Sequence, residues 1–276
     1  MSLPQILPEL TTLQVTLDEG VAIVTLDRAD KANAMSQSMW EELEQVFRWL
    51  DEAAEVRVVI LQANGRNFCA GMDLMLLASA PAEFGEDIGR NAEALRRKIL
   101  WFQTVLSGIE RCRKPVLAAI HGKCLGGAID MITCCDMRYC TEDASFAVKE
   151  TEIGMAADVG TLQRLPKLIG DGIARELCYT ARELGGADAE RIGLVNRTFG
   201  TQEALFEGVL DIARTIARHS PLAVRGTKEM ILYSRDHSVA DSLNYVATWN
   251  AAALMSGDLQ KSLEAKLTGA AVTYED

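Results

Sequence analysis

Residues 115–130 read PVLAAIHGKCLGGAID: an apolar run, a glycine-rich loop, and the start of a second apolar segment that continues to about Cys135. Pro115 to Ile120 is a short buried strand by its pattern, and the segment that opens near Gly127 is a helix. Upstream, Arg57 to Ala63 (RVVILQA) is a second buried strand, followed by another glycine-bearing loop, Asn64 to Leu74 (NGRNFCAGMDL). A helical pattern from about Glu93 to Arg111 lies between the two strands. Strand, helix, strand in this order implies parallel crossovers, so the expected fold class is α/β.

Working outward, Leu13 to Leu17 and Val21 to Leu26 are strands joined by the turn residues Asp18-Glu19-Gly20, an opening hairpin. Met39, Leu43, Val46, Phe47 and Leu50 then recur at helical spacing, with Ser38 and Glu41 as a capping box. Met137 to Thr141, Ser145 to Val148 and Leu194 to Thr198 are further strands, and nearly everything from Gln202 to Leu267 is helical. This divides the chain into a core over residues 1–200 and a helical C-terminal region over residues 201–276. The stretch Ala78 to Asn91, rich in Gly, Ala, Pro and charge, marks a mobile loop that could rim a site. No internal repeat is visible.

Composition narrows the function. A chain of 276 residues, 49% hydrophobic, can bury a full core. No apolar run approaches the roughly 20 residues that span a bilayer. The seven cysteines, at 69, 112, 124, 134, 135, 140 and 178, form no Cys-x-x-Cys pair and read as reduced thiols in a core. A net charge of −11 speaks against a nucleic-acid or anionic-membrane surface, which needs clustered cations. The N-terminus lacks a presequence pattern and the C-terminal Val-Thr-Tyr-Glu-Asp is not a peroxisomal address, so the expected location is cytoplasmic.

The chemistry concentrates at the two glycine loops. Gly126 and Gly127 permit close backbone approach, and free amides at the following helix start suit a developing oxyanion, although close strand-to-helix packing also uses glycine. Three carboxylates then stand among apolar neighbours: Asp130, Glu150 after Phe146-Ala147-Val148-Lys149, and Asp158 after Gly154-Met155-Ala156-Ala157. Such surroundings raise a carboxyl pKa towards the range where acid and base work near neutral pH is done. A helix cap or a surface charge is the plainer reading of each one alone. His121, His219 and His237 lack metal-ligand spacing with the cysteines, so no metal site is expected. Ser234-Arg235-Asp236-His237 holds triad residue types, but neighbours on a helix point in different directions and no nucleophile elbow accompanies them.

The signatures Arg28-Ala29-Asp30-Lys31-Ala32-Asn33-Ala34, Phe68-Cys69-Ala70-Gly71-Met72-Asp73-Leu74 and Gly122 through Asp130 resemble the crotonase (enoyl-CoA hydratase/isomerase) family, over nearly the whole chain. Ala29 departs from the proline common there, with the spacing to Asn33-Ala34 kept. The resemblance implies a spiral of β-β-α turns with helical C-terminal elements that mediate trimers, pairing into hexamers. It implies an acyl-CoA thioester whose carbonyl oxygen lies between the backbone N–H groups of Met72 and Gly127. It further implies CoA contacts by Arg28, Lys31, Ala34 and Ala70, with a solvated charge the alternative for Arg28 and Lys31. With no metal constellation and no dinucleotide fingerprint in the sequence, no cofactor beyond the CoA of the substrate is expected.

Hydratases of the family resemble this chain at Asp130 and Glu150. The added Asp158, within the run Lys149 to Pro166, resembles the Δ3,5-Δ2,4-dienoyl-CoA isomerase subgroup. That resemblance implies Asp158 as the base at C2, Glu150 as the acid at C6, and Asp130 shaping the polar site. Enoyl-CoA hydratase is the alternative within the enzymes, and a non-catalytic acyl-CoA-binding homologue the alternative outside them.

Overall fold

The computed structural model describes residues 7, 9–79 and 85–276. Strands β1 (Leu13–Asp18) and β2 (Val21–Leu26) pair antiparallel around Glu19-Gly20, both at positive φ. Then follow α1 (Gln37–Glu52), β3 (Val58–Ala63), α2 (Leu74–Ser79), α3 (Ile88–Arg111), β4 (Val116–Ile120), β5 (Lys123–Leu125) and α4 (Gly127–Thr133). Next come β6 (Met137–Thr141), β7 (Ser145–Ala147), a 3-10 turn over Glu150–Ile153, α5 (Thr161–Ile169), α6 (Asp171–Thr180), β8 (Leu184–Gly185), α7 (Gly186–Arg191) and β9 (Arg197–Phe199). The helices α8 (Gln202–Ala217), α9 (Pro221–Tyr233), α10 (Val239–Ala253) and α11 (Gly257–Thr268) complete the chain.

One sheet runs β1-β2-β3-β4-β6-β9, parallel throughout except for the opening hairpin. Successive side chains of a strand point to opposite faces, and here both faces are covered. Val58, Ile60, Leu117 and Ala119 pack with Leu205, Val209 and Ala213 of α8. Val59, Leu61, Val116, Ala118 and Ile120 face the larger core, with Trp40, Leu43 and Phe47 of α1. This double burial is why β3 and β4 read as unbroken apolar runs. It also sets α8, the first helix of the 201–276 segment, directly on the sheet.

A second sheet runs β5-β7-β8, and two isolated parallel bridges, Cys69 with Cys124 and Met35 with Met72, continue it. Each long strand is therefore followed by a short second-sheet element and then a helix: β2, Met35, α1; β3, Cys69 to Met72, α2 and α3; β4, β5, α4; β6, β7, α5 and α6. That is a spiral of β-β-α turns, a repeat of structure that the sequence does not display.

Several boundaries differ from the sequence expectation. The cap of α1 is Ser36, whose Oγ accepts from Met39 N at 3.3 Å, so Ser38 lies inside the helix and Glu41 accepts from Gln37 instead. The helix starts earlier because Met35 is already paired with the Gly71–Asp73 strand segment. α3 begins at Ile88, where Asp87 caps Arg90 N. Leu194 and Val195 are not strand: both amides donate to Ala189 O after α7, and pairing with β6 begins at Arg197. Residues 80–84 of the expected loop lie outside the described residues. All seven cysteines are buried free thiols.

The buried Glu42 ties α1 to the start of β1. Its carboxylate accepts from the amides and hydroxyls of Thr11 and Thr12 and from Leu13 N. Burial alone pushes this carboxyl up, and the hydrogen bonds outweigh that and bring it below its usual value.

Candidate active site

The loop after β2 is held by Asn33, fully buried and at φ 54°. Its Oδ1 accepts from Arg28 N, and its Nδ2 donates to Asn64 O and Asn67 O, which joins this loop to the one after β3. Arg28 turns its guanidinium to Ala34 O (2.6 Å) and Asp73 Oδ2 (2.9 Å), while Lys31 is exposed. Ala70, exposed at the neighbouring loop, donates its amide to Ala32 O.

The loops after β3 and β5 meet at glycine. At Gly71 (φ 91°) a Cβ would lie 2.6 Å from Leu125 O and 3.2 Å from Gly127 N, so only glycine permits the approach. A Cβ at Gly127 would lie 2.8 Å from Met35 Cε and 3.5 Å from Met72 N. The Met72 and Gly127 amides thus sit side by side across the two loops. Met35 uses Gly71 O and Asp73 N and leaves Met72 N–H free; Gly127 opens α4, where an amide has no intrahelical acceptor. Among the described residues neither amide donates to a protein acceptor. Two unpaired donors at one point are suited to an oxyanion.

The three acids gather around this point. Glu150 lies on the 3-10 turn with its Oε1 3.4 Å from where a Gly126 Cβ would stand. Asp130, in the first turn of α4, is fully buried and accepts from Thr161 N at 2.6 Å. Burial pushes Asp130 up to about 7; the Thr161 hydrogen bond opposes this, and the charges of Glu150 and Asp158 reinforce it. Burial also raises Glu150, with the Asp158 charge adding to it, and raises the half-buried Asp158. Asp130 Oδ2 and Glu150 Oε2 are buried without a hydrogen-bond partner. Unpaired buried carboxyl oxygens are costly unless a ligand or a proton meets them.

Among the described residues no group of three His, Cys, Asp or Glu side chains is arranged to hold a metal ion, and no helix is long and apolar enough to cross a membrane. The family model described as Enoyl-CoA hydratase/isomerase matches residues 16–267. The chain belongs to this family of enzymes.

Within the family it is 45% identical to the peroxisomal Δ(3,5)-Δ(2,4)-dienoyl-CoA isomerase of Arabidopsis thaliana over 94% of each chain. It is 46% identical to the mitochondrial Δ(3,5)-Δ(2,4)-dienoyl-CoA isomerase of Homo sapiens, over 92% of this chain and 78% of that one. Among solved structures, an enoyl-CoA hydratase from Bacillus anthracis superposes with a TM-score of 0.88 at 31% identity, covering 96% of this chain and 99% of that chain. The expected spiral fold agrees with that of this family member. The cytoplasmic expectation does not stand: the isomerase relatives are by name peroxisomal and mitochondrial, and the lack of an address in the terminal residues was too weak a signal to set against them.

The structure places the Met72 and Gly127 amides side by side with Glu150 next to Gly126, and sets Glu150, Asp158 and Asp130 near enough for their charges to act on one another; Arg28, Lys31, Ala34 and Ala70 lie on the loops after β2 and β3. Sequence reasoning missed Thr161 and Gln103. The first acts through its amide on Asp130, and the second through Nε2 on Asp158 O at 2.6 Å. Backbone partners carry no residue-type signature, which is why neither stood out.

Proposed function

We propose that this protein is a Δ3,5-Δ2,4-dienoyl-CoA isomerase acting in fatty-acid β-oxidation. The observation that carries the reading is Asp158, a third carboxylate sharing one site with Glu150 and Asp130. Removing a C2 proton from a 3,5-dienoyl thioester leaves a dienolate whose charge extends from the carbonyl oxygen to C6. Asp158 takes that proton, the Met72 and Gly127 amides hold the oxyanion, and Glu150 delivers a proton at C6, giving the 2,4-diene. Asp130 keeps the site polar between the two. The base must start ionised and the acid protonated, so the mechanism requires their pKa values to be held apart.

Protons are redistributed without change of oxidation state, so the reaction needs no cofactor beyond the CoA of its substrate. Lys31 and Arg28, with the Ala34 and Ala70 backbone, are proposed to receive the CoA. The runner-up is enoyl-CoA hydratase, which uses Asp130, Glu150 and the same two amides. A paired assay on 3,5-dienoyl-CoA and 2-enoyl-CoA decides: isomerisation should be the faster reaction, and faster hydration would overturn the isomerase reading.

The helical 201–276 region is proposed to build a trimer or hexamer. α10 and α11 bury none of their own residues, and Leu243 on α10, Leu254 at its C-cap and Leu263 on α11 stand exposed. Sedimentation of the active enzyme should show at least a trimer; a fully active monomer would count against it.

A further inference from the structure

We infer that Gln103, on α3, is a positioning residue for Asp158, holding the acid-bearing turn through the Asp158 backbone carbonyl. Among the described residues no backbone-to-backbone hydrogen bond reaches residues 156–159, which lie between the 3-10 turn and α5. Into that gap Gln103 extends its Nε2 to Asp158 O at 2.6 Å. The rest of the turn is fastened to the same helix. Gly160 takes φ 135°, and a Cβ there would stand 2.0 Å from Arg164 Nη1, so the guanidinium packs with Nη1 against the glycine. Arg164 in turn donates to Glu110 Oε2 (2.8 Å) and Ser107 Oγ (3.1 Å) of α3. On the other side Thr161 N reaches Asp130 on α4.

Gln103, Ser107, Glu110, Val159, Gly160 and Arg164 together line a cavity of about 810 Å³ behind the turn. Val159 and Gly160, the residues that follow Asp158, border this open space, and the Gln103 amide is the hydrogen bond that holds the Asp158 carbonyl beside it. Glutamine is well matched to this position because it donates to a carbonyl without placing a charge beside the base, whereas a lysine or arginine would favour the carboxylate and weaken it as a base. The side chain's hydrogen bond goes to Asp158 O and to neither the oxyanion amides nor the loops proposed for CoA, so its effect should fall on proton transfer and not on binding.

This rests on the reading of Asp158 as the C2 base. Removing the donor in Gln103→Leu, or replacing it by an isosteric acceptor in Gln103→Glu, should lower kcat on 3,5-dienoyl-CoA by about 10- to 100-fold, the scale of a misplacement near 1 Å. KM should move by less than about twofold, as expected when only the chemical step is affected. Gln103→His, whose Nε2–H reaches about as far, should recover most of the rate. In an Asp158→Asn background Gln103→Leu should add no further loss, because the two act as one unit. Full kcat in both donorless variants would overturn the inference, as would a KM that rises in step, equal losses in both backgrounds, or failure of both variants to fold. If Asp158→Asn itself isomerises normally, the functional reading falls first. If Asp158→Asn is inactive and the Gln103 variants are not, only the positioning role falls.

Discussion

Asp158→Asn should lower isomerisation of 3,5-dienoyl-CoA by about 10²–10⁴-fold, the range a positioned general base contributes. Asparagine keeps the shape of the side chain and the carbonyl that Gln103 binds, but it accepts no proton. Binding of acyl-CoA should survive, because Met72, Gly127 and the loops around Asn33 are untouched; calorimetric titration with a non-reactive acyl-CoA checks this. Exchange of the C2 hydrogen with deuterated solvent should be lost along with isomerisation. In the wild type the base is needed ionised, and burial raises Asp158 above the ordinary aspartate range. Activity should therefore fall on acidification at a pH higher than a solvated aspartate would give. Isomerisation by Asp158→Asn at the wild-type rate would end the isomerase assignment and leave hydratase as the preferred reading.

Why Asp158 was visible and its support was not follows from what a sequence displays. A carboxylate after Gly-Met-Ala-Ala is conspicuous because charge among apolar residues costs free energy and needs a reason. The strands β3 and β4 were conspicuous because both faces of the sheet are covered, by α1 on one side and α8 on the other. The spiral repeat was hidden because its short strands shrink to single bridges at Met35 and Cys69, too brief to leave a pattern. Arg28 stood out by its charge alone; its intramolecular bonds to Ala34 O and Asp73, which brace the loop, became visible only in the fold. The amides of Met72, Gly127 and Thr161 have no residue type to betray them; family resemblance located the first two, and only the fold located the third.

Glu150→Gln should lower turnover by a similar factor, about 10²–10⁴-fold, and should do so differently. Glu150 is the acid in this reading, so it must carry a proton that it can release at C6. Its burial, which raises its pKa, keeps that proton on at higher pH than a solvated glutamate would, and activity should decline on the alkaline side as the proton is lost. Glutamine retains the volume beside Gly126 but has no proton to transfer. Asp158 remains, however, and so do the two oxyanion amides. The C2 proton should still be removed and returned, so solvent deuterium should enter the 3,5-dienoyl substrate at C2 although the 2,4-diene no longer forms. The two variants then separate the halves of the reaction: Asp158→Asn stops exchange and isomerisation together, while Glu150→Gln stops isomerisation and spares exchange. Unchanged turnover in Glu150→Gln would remove Glu150 from the mechanism. Loss of C2 exchange in Glu150→Gln, with exchange persisting in Asp158→Asn, would reverse the roles, making Glu150 the base and Asp158 the acid at C6.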